Sequence, residues 1–287
     1  MSEFDSNKRA ADNVHDLMSL ARLLLLLVWL AWPSATAEPA WKNELSSAKP
    51  GDWPAIPTCV LDFKVSWNGM LDAGSMRLEF TPHGIHKPGR LVARSSAAST
   101  GAASVLFPYR SDFWSEMDPT SHKPRLFHAV ETGCRVKVTT HVNHRQGRVE
   151  YAETTEPLNQ SASTRREGVF RFTPVYDIFS AMLHVRSQRL AAGDKITLVV
   201  HPFDNPYLLR VRVIGREPHL GRPAIHLAVG MAKIDRRTLE LRAYRKMNRE
   251  ASLWLSDDAD RIPIELRAAV FIGDIRATLV DFRKLRP

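Results

Sequence analysis

Apolar and polar residues alternate along much of the chain. Cys59, Leu61, Phe63, Val65 and Trp67 are interleaved with Val60, Asp62, Lys64 and Ser66. A period of two places such sets on opposite faces of a β-strand. Asn68-Gly69 follows as a turn and the alternation resumes over residues 73–80, which predicts a hairpin. Similar short segments recur at residues 135–142, 169–172, 196–201, 208–214, 225–228, 239–244, 253–255, 262–266 and 275–280. Parallel pairing of so many short strands requires crossover helices between them, and the sequence lacks these. The pattern therefore predicts a mainly β fold: a single antiparallel curved sheet forming an open barrel or β-spiral, with one or two short helices. Asp177 stands where it caps a helix over residues 178–189, with Ile178, Met182 and Val185 on one face and Gly193 just beyond. A shorter helical turn is expected near residues 111–116, before Asp118-Pro119.

The N-terminus carries a different pattern. Residues 23–32 are an unbroken apolar run behind Arg22, and Ala35-Thr36-Ala37 supplies the small residues of a cleavage site. Residues 1–37 are thus expected to be an export signal, with Met18 as an alternative start, and the protein is expected in the periplasm or cell envelope. The run holds 10 residues, where a spanning helix needs about 20, so no permanent membrane span is expected after cleavage. Residues 38–56 form a Pro-rich leader containing Pro39, Pro50 and Pro54. The remainder, 57–287, is expected to be a single antiparallel β domain.

Charge narrows the partners. The chain has a net charge of +9, and removing residues 1–37 leaves 37 basic and 27 acidic residues. No stripe is richer than Arg165-Arg166 or Arg245-Lys246, and no aromatic stacking motif is interleaved with them, so nucleic acid is not the expected partner. An exported basic protein meets lipid headgroups and cell-wall polymers instead. Cys59 and Cys134 are the only cysteines. In an oxidising compartment they are a candidate disulfide, which would restrict the unfolded chain by roughly 4 kcal/mol; two free thiols are the alternative.

Residues able to do chemistry do not assemble into a site. Of eleven histidines only His83/His86 and His141/His144 are closely spaced, and neither pair has an evident third ligand, so no metal site is assigned. No Gly-x-Ser-x-Gly elbow, activated cysteine motif or phosphate-cradling glycine loop occurs. Neither catalytic residues nor a cofactor are assigned. Asp257, Asp258 and Asp260 lie between two apolar segments, where Asp favours a turn by bonding the local backbone. Aromatic and apolar residues suffice to line a cavity in a curved sheet. Trp67, Phe113, Trp114, Tyr176, Phe179 and Met182 are the candidate ligand-binding residues, with membership of the core as the alternative.

Several of these segments together resemble the bacterial envelope family catalogued as domain of unknown function 3108. The carriers are Val65-Ser66-Trp67-Asn68-Gly69 with Ala73-Gly74; Ala93-Arg94-Ser95-Ser96; Phe113 with Asp118; Asp177-Ile178-Phe179-Ser180-Ala181-Met182-Leu183; Val213-Ile214-Gly215-Arg216-Glu217; and residues 254–279. Pro218 departs from the pattern by following Glu217 where a strand should continue. The resemblance implies an exported antiparallel β domain, an open barrel or spiral similar to the periplasmic lipoprotein carriers, and supplies no catalytic residues. The expected role is non-enzymatic binding of a lipid, another hydrophobic or amphipathic ligand, or an envelope protein. The alternative is an interaction module that meets cell-wall polymer or a membrane complex through its basic surface.

Overall fold

The computed structural model describes residues 38–82, 89–159, 162–244, 249–270 and 273–285. The expected export signal, the His83/His86 pair and Arg245-Lys246 lie outside them. Asn43–Pro287 forms one compact unit, which holds the whole sheet. Of Met1–Lys42, only residues 38–42 are described.

The alternation does produce strands. β1 (Cys59–Trp67), β2 (Leu71–Thr81), β3 (Leu91–Ser99), β4 (Arg110–Met117), β5 (Pro124–Thr132), β6 (Val136–Arg145), β7 (Arg148–Pro157) and β8 (Thr164–Phe170) form one antiparallel meander. A second runs through β9 (Lys195–Val200), β10 (Tyr207–His219), β11 (Arg222–Ile234), β13 (Ala251–Ser256), β14 (Pro263–Val270) and β15 (Gly273–Lys284), with β12 (Leu241–Ala243) paired to β11. The two meanders join where β1 pairs with β15, from Cys59 opposite Lys284 to Trp67 opposite Ile275. The result is one large antiparallel sheet that does not close, edged by β8 and β9. Its curvature brings the edge regions together, for His201 just after β9 has its ring 5.2 Å from Tyr151 in β7 and 6.2 Å from Phe170 in β8.

Among the described residues two α-helices accompany the sheet: α1 (Gly101–Leu106) between β3 and β4, and α2 (Ile178–Ser187) between β8 and β9. α2 begins as its sequence dictates. The Asp177 carboxylate accepts from the Phe179 and Ser180 amides, and the Ser180 hydroxyl accepts from the Asp177 amide, a complete capping box. Residues 111–116, expected to be helical, belong instead to β4, with Phe113 and Trp114 on opposite faces; the excursion before it supplies the helix. β10 continues through Pro218, which pairs with Pro223 beside the tight turn at Leu220-Gly221, where a missing amide costs the ladder little.

The core lies on the face of the sheet that meets α2. Tyr176, Ala181 and Val185 pack with Ile196, Leu198, Val211, Val213, Ile225, Leu227 and Leu255. The leader from Asn43 onward is tied to this unit: Thr197 and Ser46 exchange hydrogen bonds, and the Gly51 amide donates to the Ser187 hydroxyl. A side chain at Gly51 would collide with the Ser187 carbonyl.

Both cysteines are free, Cys59 buried and Cys134 exposed, so the fold shows the free-thiol alternative and not the candidate disulfide. Register explains the separation. Cys59 pairs with Phe80, and the row continues through Ala93 and Ser115 to Phe127. Cys134 lies further along the chain beyond the end of β5, roughly 20 Å from that row at strand spacing, whereas a bridge needs Cα atoms within about 7 Å.

Candidate functional site

α2 fills one end of the concave face. The Ser115 hydroxyl of β4 donates to the buried Asp177 carboxylate at 2.5 Å, joining the helix cap to the sheet. Burial drives the Asp177 carboxyl above the ordinary range, opposed by Ser115 and the two helix amides. Phe179 on α2 lies 6.2 Å from Phe127, which also meets Phe113 and Phe203 at 6.1 and 6.0 Å. At the other end of the helix the Arg261 guanidinium donates to the carbonyls of Arg186, Gln188 and Arg189. Arg186 donates to the carbonyls of Asp260 and Pro54. Burial, and then Arg261, pushes Arg186 down to about 10. The acidic turn that carries Arg261 is held by Asp258, whose carboxylate accepts from the Asp260 and Arg261 amides and the Ser256 hydroxyl.

Beyond the helix the same face stays apolar, and no other α-helix among the described residues packs on it. Leu209, Val229, Met231 and Leu253 are half-buried against the core cluster. Leu253 pairs with Leu266, which is 41% exposed. Leu266 pairs with Ala277, and Ala277 with Val65. Register thus draws an apolar floor from β10 across to β1. Along one margin it turns polar: the Tyr109 hydroxyl donates to Glu131 at 2.8 Å, and Tyr207 packs edge-on to Tyr244 at 5.3 Å. All three phenols are driven upward, first by burial. The further causes are Glu131 for Tyr109 and for Tyr244, and Tyr244, Asp204 and Glu153 for Tyr207. An apolar floor bordered by phenols and carboxylates offers an amphipathic molecule a place for each of its parts.

The opposite face of the sheet has grooves of its own. One of 720 Å³ is lined by Asp62, Lys64, Arg77, Ser96, Arg110 and Asp112, and an adjoining one of 560 Å³ includes Arg94, Trp114, Glu116 and His128. In the first, Asp62 accepts from both Arg77 and Arg283, and Lys64 pairs with Asp72. His128 and His141 stand with their Nδ1 atoms 3.1 Å apart. Among the described residues no group of three His, Cys, Asp or Glu is placed to hold a metal.

The candidate ligand residues separate. Tyr176 and Phe179 are buried in the core, 1% and 4% exposed, and Met182 is half-buried on α2. Phe113 joins the aromatic cluster, Trp114 lines the groove on the other face, and Trp67 meets Phe107 edge-on at 6.1 Å. The floor residues Leu209, Met231, Leu253 and Leu266 were outside the candidate set. Their signal is apolar alternation continuing along more strands than one ten-residue helix can cover.

A family model described as "Protein of unknown function (DUF3108)" matches residues 62–280. Among solved structures, a β-barrel-like protein of domain of unknown function DUF1849 from Brucella abortus is similar at 10% identity and a TM-score of 0.49, over 82% of this chain and 100% of its own. A protein with a YmcC-like fold from Bacteroides fragilis NCTC 9343 is similar at 5% identity and a TM-score of 0.31, with the same coverage of 82% and 100%. No curated protein matches the chain. Among the described residues no helix is long and apolar enough to cross a membrane.

Proposed function

The chain belongs to the family of unknown function DUF3108, and from that premise we propose that it is a non-enzymatic protein of the bacterial cell envelope that holds a hydrophobic or amphipathic ligand on the open half of its concave face. The observation that carries this reading is the apolar floor of Leu209, Val229, Met231, Leu253 and Leu266, left half-exposed among the described residues. Leaving such side chains half-exposed forgoes about 25 cal/mol for each Å² of apolar surface left wet. A ligand tail lying on them recovers that term, while Tyr109, Tyr207, Tyr244 and Glu131 meet its polar end. The envelope location is supported by the apolar run and small-residue site of residues 23–37.

Organic extraction of the protein purified from its native envelope, followed by mass spectrometry, tests the proposal. A stoichiometric amphipathic species is expected, and Met231→Glu with Leu253→Glu should release it. Protein that is consistently empty would sink the reading. The basic exterior favours a cell-wall module less, because Arg77, Arg210, Arg212, Arg216 and Arg283 already hold carboxylates.

A further inference from the structure

One end of the sheet carries exposed apolar side chains on successive connections. The β1–β2 turn presents Met70 and Leu71, 81% and 63% exposed. The β3–β4 connection presents Val105, Leu106 and Phe107, 81%, 70% and 52% exposed. Val136 and Leu158 follow at the β5–β6 and β7–β8 connections, 37% and 49% exposed. Strand pairing places these side by side: Gly74 is opposite Ser99, Arg110 opposite Thr132, and Val136 opposite Pro157. Six strand spacings make a rim roughly 30 Å wide.

The β3–β4 connection is the unusual part. Antiparallel neighbours can be joined by two residues, yet here the chain leaves the sheet at Thr100, makes α1 and returns at Arg110. No residue of α1 is buried. The excursion is anchored by the Thr100 amide donating to the Ala73 carbonyl and by Phe107 against Trp67. Its two most apolar exposed residues, Val105 and Leu106, therefore stand at a fixed place beyond the strands. Monomeric proteins seldom expose contiguous apolar surface of this kind without a partner.

Charge identifies the partner. Arg110, Arg135 and Arg166 are exposed at this end and hold no ion pair among the described residues. Most acidic residues nearby are engaged, Asp72 by Lys64, Glu156 by Lys137, Asp274 by Arg276, and Glu131 by the Tyr109 hydroxyl, while Asp112 stands exposed in the groove that Arg110 also lines. Apolar side chains flanked by three unpaired arginines against one free carboxylate match the layered chemistry of a lipid surface, acyl boundary beneath anionic headgroups. The concave floor runs toward the same end, since its rows continue from Leu253 and Leu266 through Val65 to Trp67. We propose that this rim, with Val105 and Leu106 at its tip, docks onto an anionic membrane surface.

The free thiol of Cys134 provides the test, because it is exposed in the β5–β6 connection of the rim while Cys59 is buried. The full chain is labelled at Cys134 with an environment-sensitive fluorophore and mixed with vesicles of phosphatidylethanolamine and phosphatidylglycerol, or of phosphatidylcholine alone. A blue shift with the anionic vesicles is expected. Val105→Glu with Leu106→Glu should weaken it roughly tenfold or more, and Arg110→Glu with Arg135→Glu should remove the preference for phosphatidylglycerol. No shift, or an equal shift in the Val105/Leu106 variant, overturns the proposal; a protein-docking rim would give that result. Each variant is checked for an unchanged melting temperature. Ligand content of the rim variants is measured separately, so an empty concave face and a rim that ignores membranes are told apart.

Discussion

The guanidinium of Arg261 lies 3.4 Å from the ring centre of Trp53, stacking the turn after β13 on the leader. The same side chain caps the end of α2 through three backbone carbonyls, and the Trp53 indole donates back to the Ala259 carbonyl. Leader, helix and turn thus share one buried cation. Arg261 is 1% exposed and its backbone has φ of 42°.

Replacing Arg261 should therefore cost far more than replacing Asp257 in the same turn. Arg261→Lys keeps the charge but loses the fork and the stacking, and a loss of about 2–4 kcal/mol is expected in urea unfolding. Asp257→Asn removes only a partly exposed pair with Arg216 and should cost less than about 1 kcal/mol. Similar losses at the two positions would contradict this assignment.

Stability should fall on mild acidification. His201 is 0% exposed and His122 is 7% exposed, and burial pushes each from 6.5 down to about 4. A histidine whose folded pKa is depressed binds its proton more readily when unfolded. Its contribution is complete above pH 6.5 and is lost as pH falls toward 4. Each such group withdraws on the order of 1–3 kcal/mol. Melting temperatures measured across that interval should drop, and His201→Phe should flatten the curve if the variant folds. His122→Leu provides the second reading; a slope unaffected by either substitution would assign the pH dependence elsewhere.

Thiol chemistry should distinguish the two cysteines. Burial, followed by the neighbouring Asp260 charge, pushes the Cys59 thiol up to about 12, whereas Cys134 is exposed. One thiol should react in the native protein and two after denaturation without reductant. Finding none after denaturation would restore the disulfide.

The parts of this fold that were legible in the sequence are those governed by neighbours along the chain. Alternation from Cys59 to Trp67, the Asn68-Gly69 turn and the Asp177 cap each have a local physical cause, and each is present in the structure. Residues 111–116 misled because adjacent Phe113 and Trp114 blur the period of two; both are accommodated because each face of β4 has something to pack against. Long-range polar packing left no local trace. Arg186 and Arg261 resemble surface arginines in sequence, and only the meeting of leader, helix end and turn makes them interior. The candidate aromatics scattered for a similar reason: composition supplies side chains able to line a cavity, while register decides which face each one joins.

The ladder between β1 and β15 has a consequence for the order of events. Cys59 must wait for Lys284 and Trp67 for Ile275, so the seam at the middle of the sheet forms from residues about as distant in sequence as the domain contains. Contacts of that separation are slow to gather. A chain delivered from its N-terminus can assemble each meander as it emerges, but the two arms become one surface only when the final strand arrives.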